Sequence, residues 1–181
     1  MARYRLIIFV LSLMVALGGY SLHAAGPPDF SGTWTLDLNA PEATSMEAIL
    51  KAQGAPWIKR KAMDTMPMTQ VITQTEKTLT IKVDTGLGAR TQVLHLDGSA
   101  QIQDSDEKGK VEYRSFWDKD GTSLVTVTKS ASPNGKKPGS QIAEYATRRY
   151  LQDQGRTLIV EHVLTFDDGR KLTGKRVLRK K

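Results

Sequence analysis

From Gly32 onward, apolar and polar residues alternate along most of the chain. Trp34, Leu36 and Leu38 share one side of the first run and Thr33, Thr35 and Asp37 the other, which predicts a half-buried strand over 32–38. Pro41 ends it. Thr44-Ser-Met-Glu47 has the spacing of a capping box, and Met46, Ile49 and Leu50 place a narrow apolar stripe behind it. A short helix is therefore predicted up to Gly54, with a second opened by Pro56 over Trp57 to Met63. Neither is long enough to be stable alone, so both must pack on something.

Every later run has the period of a strand. These runs cover 68–74, 77–84, 90–96, 100–103, 110–117, 122–129, 141–151, 156–166 and 170–179. Asp97-Gly98, Asp120-Gly121, Gln154-Gly155 and Asp168-Gly169 punctuate them, and such dipeptides between alternating runs signal hairpins. Successive hairpins give an up-and-down meander. The expected fold is all-β: a ten-stranded up-and-down antiparallel β-barrel with a short helix-turn-helix lid after the first strand. An open sheet of that size would expose two edges, and closure removes them. A barrel of this girth is wider than its own side chains fill, so a cavity is expected. Ser130–Ser140, rich in Pro, Gly and Lys, reads as a hairpin tip.

The N-terminal segment does not belong to this pattern. Arg3 and Arg5 precede an apolar run over 6–17, then Gly18-Gly19 and a small-residue end at Ala24-Ala25. The run falls short of the ~20 residues that span a bilayer and has the form of a secretory signal. The expected organisation is a signal peptide over 1–25 and one barrel domain over 26–181, exported to a periplasm or secreted. Removing the leader lowers the formal charge from +7 to +5. That surplus suits an anionic small molecule or membrane surface. Nucleic acid is not expected, because export removes the opportunity and the basic residues are scattered. The chain has no cysteine, so burial and strand pairing must carry its stability without disulfides.

No enzyme signature accompanies the strands. There is no cysteine nucleophile, no Gly-x-Ser-x-Gly elbow and no phosphate-cradling glycine loop. His95 and His162 lie on separate predicted strands without metal-ligand spacing and read as ordinary strand residues. No catalytic activity, metal or cofactor is expected.

Strand parity singles out one interior charge. Arg176 shares a face with Leu172, Gly174 and Leu178, while Lys171, Thr173, Lys175 and Arg179 occupy the opposite, solvated face. An inward arginine among apolar neighbours needs an anionic or acceptor partner, and its guanidinium matches a carboxylate with a two-point fork. Parity is less decisive on the preceding long strand. Arg149 goes with Ala143, Tyr145 and Leu151, and Arg148 with Ile142, Glu144, Ala146 and Tyr150. Arg176 and Arg149 each remain open as a surface charge or as the structural partner of a buried carboxylate such as Glu161.

Phe30-Ser-Gly-Thr-Trp34, Leu50-Lys-Ala-Gln-Gly54 with Arg60-Lys61, Met66 to Ile72 with Lys77 to Lys82, Val111 to Lys129, Thr147-Arg-Arg149 and Gly174-Lys-Arg-Val-Leu178 follow one another in a recognisable order. In that order and spacing the chain resembles the intracellular fatty-acid-binding protein family of the calycin superfamily, nearly end to end over 26–181. The resemblance implies a carrier of a fatty acid or similar hydrophobic carboxylate. It selects Arg149 beside Arg176 as the second interior arginine, with Tyr145 and Leu178 as further ligand contacts. It places Ile49, Leu50, Trp57 and Ile58 at the lid or portal. Lys59, Arg60 and Lys61 would meet anionic membrane during transfer, and the protein is expected to be a monomer. Three features depart from the family: the leader, the longer 130–140 loop, and Arg176-Val-Leu178 where the family reads Arg-x-Tyr. Two alternatives stand beside the carrier: a lipocalin-like binder of another small apolar molecule, and an envelope interaction module whose barrel is filled.

Overall fold

The computed structural model describes residues 26–86, 88–105, 109–129 and 142–181. The expected leader (1–25) and the Ser130–Ser140 loop lie outside the described residues. Ten strands and two α-helices follow in the expected order: β1 (Gly32–Leu36), α1 (Glu47–Ala52), α2 (Trp57–Thr65), β2 (Thr69–Gln74), β3 (Thr78–Asp84), β4 (Ala89–His95), β5 (Gln101–Ser105), β6 (Gly109–Trp117), β7 (Ser123–Lys129), β8 (Ile142–Gln152), β9 (Thr157–Phe166) and β10 (Lys171–Lys180). The alternation places the strands to within a few residues.

All neighbours pair antiparallel in the order β4-β3-β2-β1-β10-β9-β8-β7-β6-β5. The chain's first and last strands meet, with Leu36 opposite Leu178. The expected closure is incomplete: β4 and β5 end the ladder and do not pair with each other. Side chains bridge this seam instead. Gln101 accepts the His95 N–H at 2.6 Å and donates to the Val93 carbonyl at 3.3 Å, and the Tyr113 hydroxyl donates to the same carbonyl at 2.9 Å. The reason is local. The turn after β4 docks against β6, where Asp97 bridges Phe116 and Gly98 N–H reaches the Ser115 carbonyl, so β4 meets β6 before β5 begins.

Inward positions from opposite walls pack one end of the barrel into a solid floor. Phe30, Trp34, Leu36, Ile72, Leu79, Leu94, Leu124, Leu158 and Leu178 are buried in one cluster. The Trp34 indole N–H donates to the Phe30 carbonyl at 2.8 Å, and the Phe30 ring stacks on Trp117 at 5.8 Å between centroids. A second, outer cluster (Ala40, Ile159, Val177) forms where the segment after β1 folds across the outside of β9 and β10.

The lid attaches at the other end. Met46 and Ile49 of the α1 turn bury against Leu164 of β9. Gly174, an inward position on β10, makes the room: a Cβ there would lie 2.5 Å from the Met46 sulfur and 3.2 Å from Ile49 Cδ1. The expected capping box does not form. Helix α1 begins after Met46, whose side chain cannot cap it; the Ser45 hydroxyl accepts the Glu47 N–H at 3.0 Å, and Thr44 is used elsewhere, accepting the Lys175 N–H at 2.7 Å. Asp64 of α2 takes over, accepting the Ser45 hydroxyl at 2.7 Å and the Met46 N–H at 3.3 Å. A carboxylate at a helix N-terminus satisfies an otherwise unpaired N–H and favours the helix dipole. Helix α2 itself buries no residue completely and lies over the barrel mouth.

Candidate functional site

Register builds the interior in rows across β8, β9 and β10. Leu151, Leu158 and Leu178 lie level with one another near the floor. One step toward the lid, Arg149 and Arg176 face each other from either side of Val160. Their Cα atoms are two strand spacings apart, roughly 10 Å, so two long side chains converge over one valine. The next row is Thr147, His162 and Gly174, and the one above it Tyr145, Leu164 and Leu172.

This row of charge has almost no countercharge. Arg149 is buried, 8 % exposed, and donates from Nη1 to the Thr147 hydroxyl at 2.8 Å, while its Nε is buried without a partner. No ion pair to Arg149 occurs among the described residues. Arg176, also 8 % exposed, donates from Nη2 to the Met63 carbonyl at 2.8 Å, with the Asp64 carboxylate 4.0 Å away. Burial pushes both guanidinium groups below their ordinary value; Tyr145 opposes this for both, and Asp64 does so more strongly for Arg176. Arginine does not give up its proton in proteins, so both remain cations and the shift measures strain on the charge.

The Tyr145 hydroxyl and His162 Nδ1 are hydrogen-bonded at 2.5 Å, with the rings stacked at 6.0 Å. Burial, then Arg149 and Arg176, push His162 down to about 3, and burial pushes Tyr145 up to about 12. Both are neutral at neutral pH. Either tautomer of the imidazole leaves the pair one hydrogen to donate outward, from His162 Nε2 or from the phenol. Two cations and a neutral donor pair therefore look into one interior, a combination suited to an anion.

The histidine carries a stability signature of its own. Its folded value lies below the ordinary 6.5, so below that pH the unfolded chain takes up a proton that the folded chain refuses. Stability present above pH 6.5 is lost as pH falls toward 3, by about 2 kcal/mol at pH 5 for this group. Urea denaturation at pH 7 and pH 5 should show this loss in the wild type and a clearly smaller one in His162→Phe. Equal losses would mean that His162 is not buried neutral.

A cavity of about 670 Å³ lies between the lid and the β3–β4 end of the sheet, within the range of small-molecule sites. Leu50, Ile58, Ala62, Met63, Met66 and Met68 line its lid side, and Val83, Thr85 and Ala89 its β3–β4 side. Lys59, Arg90 and Arg176 bring three cations to the wall, with no carboxylate among the lining residues. A smaller space of about 250 Å³ lies behind, between the 36–45 segment, Asp64 and Lys175, and Arg176 lines that one as well.

The expected site residues separate in this geometry. Arg176 lines the main cavity. Arg149 and Tyr145 face the interior from β8 but lie outside that lining. Leu178 belongs to the packed floor, opposite Leu36, and not to the cavity wall. Of the lid residues, Leu50 and Ile58 line the cavity. Ile49 is instead a fully buried anchor against Leu164, and Trp57 points outward, 67 % exposed. Arg60 is drawn into the lid, donating to the Ala55 carbonyl at 2.8 Å beside Glu47 at 3.8 Å, so the three basic residues of α2 do not form one solvated face. Lys61 pairs with Glu47 at 3.3 Å on the surface, and Lys59 lines the cavity.

Three contributors were not anticipated. His162 shares its face with Val160 and Leu164, and that parity marks it as interior. Arg90 alternates with Gln92 and Leu94, which gives the same signal on β4. Asp64, in contrast, has no local signature, because its partners lie on α1 and β10.

No family model matches the chain, and comparison with curated protein sequences finds no match. Solved structures do match. A structure titled REP1-NXSQ fatty acid transporter superposes with a TM-score of 0.65 at 16 % identity, over 84 % of this chain and 96 % of that one. Human cRBP IV gives 0.65 at 20 % identity over 86 % and 100 %. Apo Caenorhabditis elegans lipid binding protein 8 gives 0.65 at 13 % identity over 84 % and 95 %. At these identities the likeness concerns the fold: the chain has the barrel architecture that the resemblance of its strands implied.

Proposed function

We propose that the protein is a non-enzymatic carrier, exported by its leader, that takes a fatty acid or similar small hydrophobic carboxylate into the cavity beneath the lid. The observation that carries this reading is Arg149, a buried guanidinium with a single neutral hydrogen bond and an unpartnered Nε. An uncompensated charge in an interior costs several kcal/mol and persists where something repays it. A carboxylate that reaches past Arg176, at the cavity wall, to lie between it and Arg149 would do so with charge-assisted hydrogen bonds. The names of the structural neighbours, fatty acid transporter and lipid binding protein among them, support the same ligand class.

Tail and head contribute differently. Burial yields about 0.8 kcal/mol per methylene as an upper bound, so a sixteen-carbon tail supplies on the order of 12 kcal/mol before ordering costs. The ion pair largely offsets its own desolvation. Affinity then comes from the tail, while orientation and head-group choice come from the arginines.

The test begins with organic extraction and mass spectrometry of protein purified from its own cells, where a bound fatty acid is expected. Delipidated protein is then titrated with palmitate and 1-hexadecanol. Arg176→Leu should weaken palmitate about tenfold and leave hexadecanol nearly unchanged. Absence of any exchangeable lipid, or equal loss of both ligands, would overturn the reading.

A further inference from the structure

Arg176 occupies an unusual position for a residue that only awaits a ligand. It stands between the two internal spaces and lines both. Its Nη2 already donates to the carbonyl of Met63. That carbonyl belongs to the last turn of α2, where helix carbonyls lack intrahelical partners and the dipole's negative end lies. The next residue, Asp64, adds a carboxylate 4.0 Å from the same nitrogen. Asp64 also receives the Ser45 hydroxyl and the Met46 N–H, so the contact reaches through α2 to the start of α1. Two groups of α2 thus meet one guanidinium nitrogen, and one of the two ties it on to the start of α1.

A ligand carboxylate that takes Arg176 by a two-point fork needs this same Nη2. Nη2 has one N–H on each of two edges, so a fork on the edge that faces Met63 displaces the Met63 carbonyl and approaches a carboxylate of like charge. The displaced carbonyl is at a helix end beside the barrel mouth, where water can replace the lost donor at little cost. The end of α2 has no fully buried side chain to hold it once that bond is gone.

We propose that Arg176 is a shared latch: the lid and an anionic head group compete for it, so that binding the head group releases the C-terminal turn of α2, and Asp64 sets how strongly anions are preferred. The inference rests on the carrier reading and adds to it a selectivity residue and a coupling between ligand charge and lid. A neutral lipid of the same length leaves the latch closed. An anionic one opens it. Removing the charge of Asp64 lifts the competition for anions only, and Asn keeps a carbonyl oxygen to cap α1.

The experiment follows amide hydrogen exchange over 57–66 in delipidated full-length protein, alone, with palmitate and with 1-hexadecanol. Palmitate should speed exchange at the end of α2 severalfold, and hexadecanol should not. In parallel, Asp64→Asn should bind palmitate about threefold to tenfold more tightly while changing hexadecanol by less than about twofold. Binding of palmitate with unchanged exchange in α2 overturns the latch and leaves the carrier standing. Equal effects of Asp64→Asn on both lipids do the same. Failure of the wild type to bind either lipid removes the carrier reading and the competition together. The exchange measurement on the wild type needs no variant, so it decides the matter even if Asp64→Asn does not fold.

Discussion

Replacing Arg149 with Met is expected to yield a protein that is harder to unfold and a markedly poorer binder of fatty acids. The two effects have one cause. In the folded chain the guanidinium is buried, and among the described residues it has a single bond, to the Thr147 hydroxyl, and no ion pair with a carboxylate. Exchanging buried ionic groups for apolar ones of similar volume stabilises proteins by about 1–4 kcal/mol in favourable cases. Methionine fits because it is unbranched and adapts to irregular space. Arg149 lies level with Leu124 and Val160, so the apolar replacement meets apolar neighbours. For the ligand the sign reverses. Loss of a charge-assisted contact to its head group should lower palmitate affinity by about tenfold to a hundredfold. Urea denaturation of delipidated protein and lipid titration read the two sides separately. Arg149→Lys keeps the charge but loses the planar fork, so it should recover neither the stability nor the full affinity. A variant that is less stable, with unaltered affinity, would make Arg149 a structural residue and withdraw the reading built on it.

Trp34→Ala should have the largest effect on stability, because the floor is organised around that indole. Trp34 is fully buried, its N–H satisfies the Phe30 carbonyl, and Phe30 in turn stacks on Trp117 of β6. Truncation removes the side chain's own burial, leaves a cavity between opposite walls, and orphans that carbonyl. Trp-to-Ala changes in cores cost about 3–5 kcal/mol, against total stabilities of about 5–15 kcal/mol for a domain. The denaturation midpoint should fall sharply with an unchanged slope. Trp34→Phe should recover most of the packing while still losing the hydrogen bond. A loss below about 1 kcal/mol for Trp34→Ala would mean that the floor is not close-packed.

The strands were legible because their information is local. A two-residue period needs only near neighbours, so the alternation at Leu79, Ile81 and Val83 gives both strand and inward face without knowledge of the partners. Hairpin turns then order the meander. What the sequence withheld is contact between distant segments. Arg176 and the Met63 carbonyl are 113 positions apart. The incomplete pairing between β4 and β5 depends on how the turn at Asp97 docks on β6, which no periodicity encodes. The Thr44–Glu47 spacing misled for a related reason: Thr44 is taken by β10, and Ser45 together with a carboxylate from α2 covers the start of α1. The choice between Arg148 and Arg149 was ambiguous because both faces of β8 mix polar and apolar residues. In the structure Arg148 is exposed and pairs with Asp118 at 3.1 Å, while Arg149 turns inward. Leu178, which the resemblance implied as a ligand contact, lies in the packed floor opposite Leu36. A two-residue period fixes the face of a strand but not the depth at which each residue sits.

The seam beside Gln101 has a mechanical consequence. A hoop whose every rung is a backbone ladder has its girth fixed by strand number and by the interstrand spacing of about 4.8 Å. Here the hoop is slit. The rungs across the slit include the amide of Gln101 and the phenol of Tyr113, which can change length by turning about their own bonds. Radial compliance is therefore concentrated along one line of the wall. A change of girth there needs only a rotation of side chains and leaves the nine backbone-paired interfaces of the sheet whole.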